Sequence, residues 1–128
     1  MRIYQTEHNT IYKTFSSLLR KERVAIKKDD NNTNYFVAED QEKIIAVVGW
    51  QQMKNGHFRL KTDYVLKEYR GKKIYSNLWD SRINVILSYG ANKLSAYCTD
   101  MSLPKYLKEG FRIQSINNNG IKYVTKTI

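Results

Sequence analysis

A chain of 128 residues is long enough for one domain built around one core. Its apolar share of 41% and charged share of 27% are those of a globular protein, and no apolar run approaches the roughly 20 residues that span a bilayer. The net charge of +10 suits a polyanionic partner (nucleic acid, an acidic protein or a phosphorylated cofactor) or, since it is spread along the chain, a basic background that only aids solubility. A single cysteine, Cys98, excludes an internal disulfide, and the opening Met1-Arg-Ile-Tyr-Gln5 lacks the apolar segment of a signal peptide. Both point to a cytoplasmic protein with no membrane partner.

The predicted elements follow in chain order. Residues 2–5 alternate as a short strand, and Ile11 to about Arg23 reads as a helix with Ile11, Phe15, Leu18 and Leu19 on one face. Asp29–Asn34 is a polar loop. Tyr35–Glu39 and Lys43–Gln52 read as antiparallel strands; the apolar run Ile44–Val48 in the second predicts burial on both faces. Asn55-Gly56 marks a hairpin, after which His57–Leu66 returns as a strand with Phe58, Leu60, Tyr64 and Leu66 apolar. Ile74–Tyr89 is the longest predicted helix, its buried stripe formed by Ile74, Leu78, Trp79, Ile83, Ile86 and Leu87. Lys93–Thr99 is a strand. Ser102 and Pro104 open a short helix that ends at Gly110, and Phe111–Ile116 and Ile121–Thr127 form a last hairpin. This order predicts one α/β (α+β) domain over residues 1–128, with a mixed, mostly antiparallel sheet flanked by helices. The crossover between the fourth and fifth strands makes the parallel pair.

The stretch Val65–Trp79 carries the most chemistry. A strand gives way to a short basic loop holding Gly71, and a helix begins. Such a turn aims backbone N–H groups and a positive helix end at one point, where Arg70, Lys72 and Lys73 add charge. It is suited to a phosphate or diphosphate.

Val65-Leu-Lys-Glu-Tyr-Arg-Gly-Lys-Lys-Ile-Tyr75 resembles the acyl-CoA-binding segment of the GCN5-related N-acetyltransferase superfamily. There a strand ends with Val, and Arg/Gln-x-x-Gly-x-Gly/Ala opens a helix. Ser102–Phe111 resembles the later family helix that runs through a tyrosine into Gly-Phe. Two departures stand out: Lys73 holds the place of the first motif glycine, and Tyr75 that of Gly or Ala. The resemblance implies an N-acyltransferase that uses acetyl-CoA, or another acyl-CoA, as co-substrate, with no metal. It implies that Val65, Leu66 and Lys67 bind the pantetheine arm through their backbone and polarise the thioester carbonyl. The diphosphate falls to Arg70, Gly71, Lys72, Lys73, Ile74 and Tyr75. Tyr106 matches the tyrosine that serves as general acid toward the departing thiolate. A carboxylate must take the amine's proton, and Asp63 and Asp100 are the candidates, ahead of Glu39 and Glu68. Cys98 reads as structural, and His8 and His57 as unconnected to any metal. Trp50 reads as a core anchor or as part of the acceptor cleft. The acceptor amine stays open: a small molecule, a protein or, given the charge, a nucleic-acid base. So does the oligomeric state, and a non-catalytic binding module with this fold is the remaining alternative.

Overall fold

The computed structural model describes residues 1–128. Seven strands form one sheet: β1 (Arg2–Glu7), β2 (Thr33–Asp40), β3 (Lys43–Gln52), β4 (His57–Val65), β5 (Lys93–Cys98), β6 (Arg112–Ile116) and β7 (Lys122–Thr127). They lie in the order β1-β2-β3-β4-β5-β7-β6, and only β4 and β5 run parallel. The helices are α1 (His8–Lys21), α2 (Ile74–Ser88) and α3 (Leu103–Lys108). The expected element order and the parallel crossover are both found. No helix is long and apolar enough to cross a membrane.

α1 presents Ile11, Phe15 and Leu19 to the sheet, all buried, as their spacing of four dictates. It begins earlier than its apolar residues announce. His8 is buried, with Nδ1 2.8 Å from the Tyr35 hydroxyl and Nε2 2.6 Å from the Lys27 carbonyl. β2 likewise starts inside the predicted polar loop, because Thr33 is buried where Gln51 donates to its hydroxyl at 2.9 Å. The run Ile45–Gln51 in central β3 is buried throughout, the expected state of a strand covered on both faces.

Two features of β4 shape everything downstream. The first is a bulge. Val47 pairs with Tyr64 but Gly49 pairs with Lys61, so Thr62 and Asp63 together face Val48, and Thr62 takes φ +62°. One extra residue reverses the alternation of a strand. Before the bulge, Phe58 and Leu60 pack with Trp79 and Ile86 of α2. After it, Tyr64 and Leu66 pack with Phe15 and Leu19 of α1, and the Tyr64 and Phe15 rings lie 6.1 Å apart. Asp63 thereby turns toward α2. Without the extra residue it would share the face of Lys61, which pairs with Asp30 on the other side.

The second feature is a parting. β4 and β5 pair only from His57 to Leu60 and from Lys93 to Ala96. Lys61–Val65 and Tyr97–Cys98 continue unpaired to each other. The parallel ladder therefore opens into a cleft on the side where α2 begins.

Candidate active site at the parting of two parallel strands

The cleft's upper wall is the end of β4. The Leu66 amide donates to the Ile45 carbonyl at 2.9 Å. Val65, opposite Ala46, is therefore in a non-hydrogen-bonded position, and its own N–H and C=O point away from β3 toward the parting. Arg70 Nε meets that carbonyl at 2.9 Å. The Leu66 and Lys67 carbonyls accept from the Tyr69 and Arg70 amides. The Val65 N–H is the group of this segment directed into the cleft.

A single 3₁₀ turn, Lys67–Tyr69, leads into the loop. Tyr69 donates to Asp40 at 2.9 Å, and the Arg70 guanidinium sits 5.3 Å from the Tyr64 ring centre, which fixes the loop's base. Gly71 has φ +78°, and a Cβ placed on it would meet nothing within 4 Å. Lys73 caps α2 in the left-handed region, φ +63°, a conformation that costs a non-glycine residue roughly 1 kcal/mol. It thus adopts a backbone conformation that glycine takes at no steric cost. Gly71, Lys72 and Lys73 are exposed, and the first amides of α2 have no partner within the helix. The loop is an open, cationic anion cradle.

The floor of the cleft is a buried network centred on Asp63. Arg82, fully buried in α2, grips it with two bonds, Nη1 to Oδ1 at 2.6 Å and Nη2 to Oδ2 at 3.0 Å. Arg82 Nη1 also donates to the Gly49 carbonyl at 3.0 Å, and its guanidinium lies 4.8 Å from the Trp79 ring centre. Tyr75 donates to Asp63 Oδ2 at 2.6 Å, and Tyr106 donates to the same oxygen at 2.9 Å. Four donors thus occupy the roughly four lone-pair sites of a carboxylate. Burial, then the Asp63 charge, holds the Tyr106 phenol well above its ordinary value of 10.0, and Tyr75 is raised for the same reasons. Burial works against the Arg82 charge, but Asp63 outweighs it and keeps the guanidinium protonated.

Tyr106 comes from α3, which follows β5, so its bond to Asp63 ties together the two sides of the parting. Tyr75 does not lie across the cationic loop. It points along the α2 face, edge-on to Trp79 at 6.1 Å, toward Asp63. Of the two expected carboxylates, only Asp63 joins Tyr106. Asp100 has a side chain 88% exposed and pairs with Lys122. Cys98 is buried, and burial pushes its thiol up to about 11. Trp50 is 1% exposed and stacks on Phe36 at 5.5 Å, which makes it core. Nowhere do three His, Cys, Asp or Glu side chains converge as a metal site.

Arg82 is the functional residue that sequence reasoning missed. Its signal was present: it lies four residues after Leu78, three after Trp79 and four before Ile86, inside the apolar stripe. Leu87, placed in that stripe, is instead 43% exposed.

Comparison with known proteins agrees with this geometry. The profile of the acetyltransferase (GNAT) domain family matches residues 3–127. Curated protein sequences contain no match. Among solved structures, an aminoglycoside 6'-N-acetyltransferase complexed with coenzyme A superposes with a TM-score of 0.78 at 18% identity, over 99% of this chain and 97% of that one. The IAA acetyltransferase from Bacillus cereus gives 0.76 at 20% identity, over 99% of each chain. The PaiA N-acetyltransferase from Thermoplasma acidophilum, complexed with coenzyme A, gives 0.72 at 14% identity, over all of both chains. At these identities the structural likeness speaks for the fold, while the family profile spans nearly the whole sequence: the chain belongs to the GNAT acetyltransferase family.

Proposed function

We propose that this protein transfers an acetyl or other acyl group from acyl-CoA to an amino group by direct attack. The amine nitrogen bonds to the thioester carbonyl carbon, the C–S bond breaks, the sulfur leaves as a thiolate that is protonated, and the amine gives up one proton. The observation that carries this reading is the parting of β4 from β5 beside a cationic loop whose capping residue is left-handed. The pantetheine arm lies in the parting, and the Val65 N–H faces it. The diphosphate rests on the amides of residues 71–74, with Lys72 and Lys73 supplying charge.

Tyr106 is the hydroxyl placed for the departing sulfur. Its one O–H is donated to Asp63 in the resting site, and burial keeps that proton on the phenol; the hydroxyl turns from Asp63 to the thiolate as the C–S bond breaks. Asp63, with its acceptor sites taken, acts as the anchor that aims Tyr106. Asp100, the other candidate base, is exposed just after β5 but held by Lys122, so the amine's proton leaves to water.

The test is calorimetric titration with acetyl-CoA followed by rates for Tyr106→Phe. The proposal expects saturable binding by the wild type, unchanged binding by the variant and a kcat lower by about 100-fold. Absence of binding contradicts it. The saturated Asp63 carboxylate favours one second reading, a module that binds acyl-CoA without transfer; acetyl-CoA binding with no turnover on any amine would select that reading.

A further inference from the structure

The helices leave one sheet face open. α1 packs on β1 and β2, and it reaches β4 only beyond the bulge, at Tyr64. α2 and α3 cover the opposite face. On β5, Leu94, Ala96 and Cys98 are 0–2% exposed on the helix side; on the other side Ser95 is buried beside His57, and Tyr97 is 59% exposed. The open part of this face therefore carries Arg59 and Lys61 from β4, Tyr97 from β5 and Tyr123 from β7. An acceptor must reach the thioester from this side, because the helix side holds α2, α3 and the cationic loop.

Arg59 stands at the edge of the parting, one residue before the β4–β5 ladder ends, and Tyr97 is the first β5 residue beyond it. The guanidinium lies 5.2 Å from the Tyr97 ring centre, and Tyr97 packs against Tyr123 at 4.9 Å. Two neighbouring cations are compensated, Lys61 by Asp30 and Arg82 by Asp63. Arg59 is not. It takes part in none of the ion pairs, and its Nε is shut off from solvent without an acceptor. A buried donor left unpaired costs free energy that a bound acceptor would recover. The field here is positive in a second respect: burial, then Lys93 and Arg59, lowers the pKa of His57 on the same face.

We propose that Arg59, backed by Tyr97, is the acceptor-recognition residue and that it selects small amines carrying an anionic group, a carboxylate or a phosphate, over polycationic amines. This rests on the acyl-transfer reading above. A guanidinium presents a planar fork that matches either anion with two bonds. Held against an aromatic face at the rim of the cleft, it would fix the anion and leave the amine directed at the thioester. A polyamine or an aminoglycoside would instead bring like charge against an uncompensated cation.

Initial rates with acetyl-CoA and four amines test this: L-glutamate, glucosamine 6-phosphate, spermidine and tobramycin. At least one anionic amine is expected to be the better substrate, and which one identifies the anion. Arg59→Gln is expected to raise its KM on the order of tenfold, with kcat and the KM for acetyl-CoA held. Arg59→Lys restores part of the loss. Matching melting temperatures separate this from misfolding. Preference for spermidine or tobramycin, an unchanged KM in Arg59→Gln, or a short oligonucleotide outcompeting all four amines would overturn the inference. Calorimetric binding of the same amines separates its failure from that of acyl transfer. Arg59-dependent binding of an anionic amine without turnover keeps the recognition site and sinks the transfer; no such binding sinks the site.

Discussion

A carboxylate and a guanidinium buried side by side are costly to desolvate, and their mutual attraction compensates only when every remaining donor and acceptor is met. Asp63 satisfies that condition better than Arg82, whose Nε has no partner and whose Nη2 uses one of its two hydrogens. Removing one member strands the other. Asp63→Ala is expected to cost about 3–5 kcal/mol in urea denaturation, because it leaves a fully buried guanidinium uncompensated. The double variant Asp63→Leu with Arg82→Met is expected to recover much of that loss while abolishing activity, since stability needs only a filled space and Tyr106 needs its anchor. Tyr75→Phe deletes one of four bonds to the carboxylate and is expected to cost about 1 kcal/mol. Half of this network was legible in the sequence. Tyr106 stood at a motif position and Asp63 two residues before Val65 on its strand face, but nothing local said that the tyrosine would bond that carboxylate. Arg82 was passed over because a hydrophobic stripe is read by its apolar members. An arginine within it makes sense only once the carboxylate it meets is known, and that carboxylate arrives from a distant strand.

At the scale of elements, the site depends on a strand that changes face. Phe58, Leu60, Tyr64 and Leu66 read as one apolar edge, yet the structure divides them between two cores. Period-two alternation cannot reveal a bulge of this kind, because one added residue preserves the local look of the pattern while reversing its sense. The loop that follows was far easier to read. A strand, a basic turn with one glycine and an amphipathic helix form a local sequence of signals, and each was found in place. The surprise is Lys73, which takes a left-handed conformation without being glycine. Lys73→Gly relieves that strain and removes one cation. It is expected to raise stability by up to about 1 kcal/mol while weakening acetyl-CoA binding, and the weakening should shrink as salt is added. Lys73→Val is expected to destabilise, since a β-branched residue tolerates positive φ poorly.

Over the whole molecule, several phenols are held neutral by burial: Tyr35, Tyr75 and Tyr106 are raised above 10.0 mainly for that reason. Unfolding releases them to ordinary values. Above pH 10 the unfolded chain therefore binds fewer protons than the folded one, and stability falls as pH rises. Melting temperature is expected to be level through neutral pH with respect to these groups and to drop steeply above pH 10. Phenolate absorbance should show the buried tyrosines ionising only as the fold is lost. The family itself was legible from two short segments and an element order, because the strand end at Val65, the basic turn before α2 and the Gly110-Phe111 pair are local signals that survive the loss of the loop's motif glycines. The acceptor was not, since the face proposed to meet it is assembled from β4, β5 and β7, three stretches with no common motif.

The central claim is that an acyl-CoA diphosphate and pantetheine lodge where β4 leaves β5 and α2 begins. Backbone amide NMR during titration with acetyl-CoA tests it most directly. The account predicts saturating shifts concentrated at Val65–Lys67 and Gly71–Ile74, with smaller changes at Asp63 and Tyr106. Shifts confined to another face of the sheet, or none at saturating ligand, would contradict it.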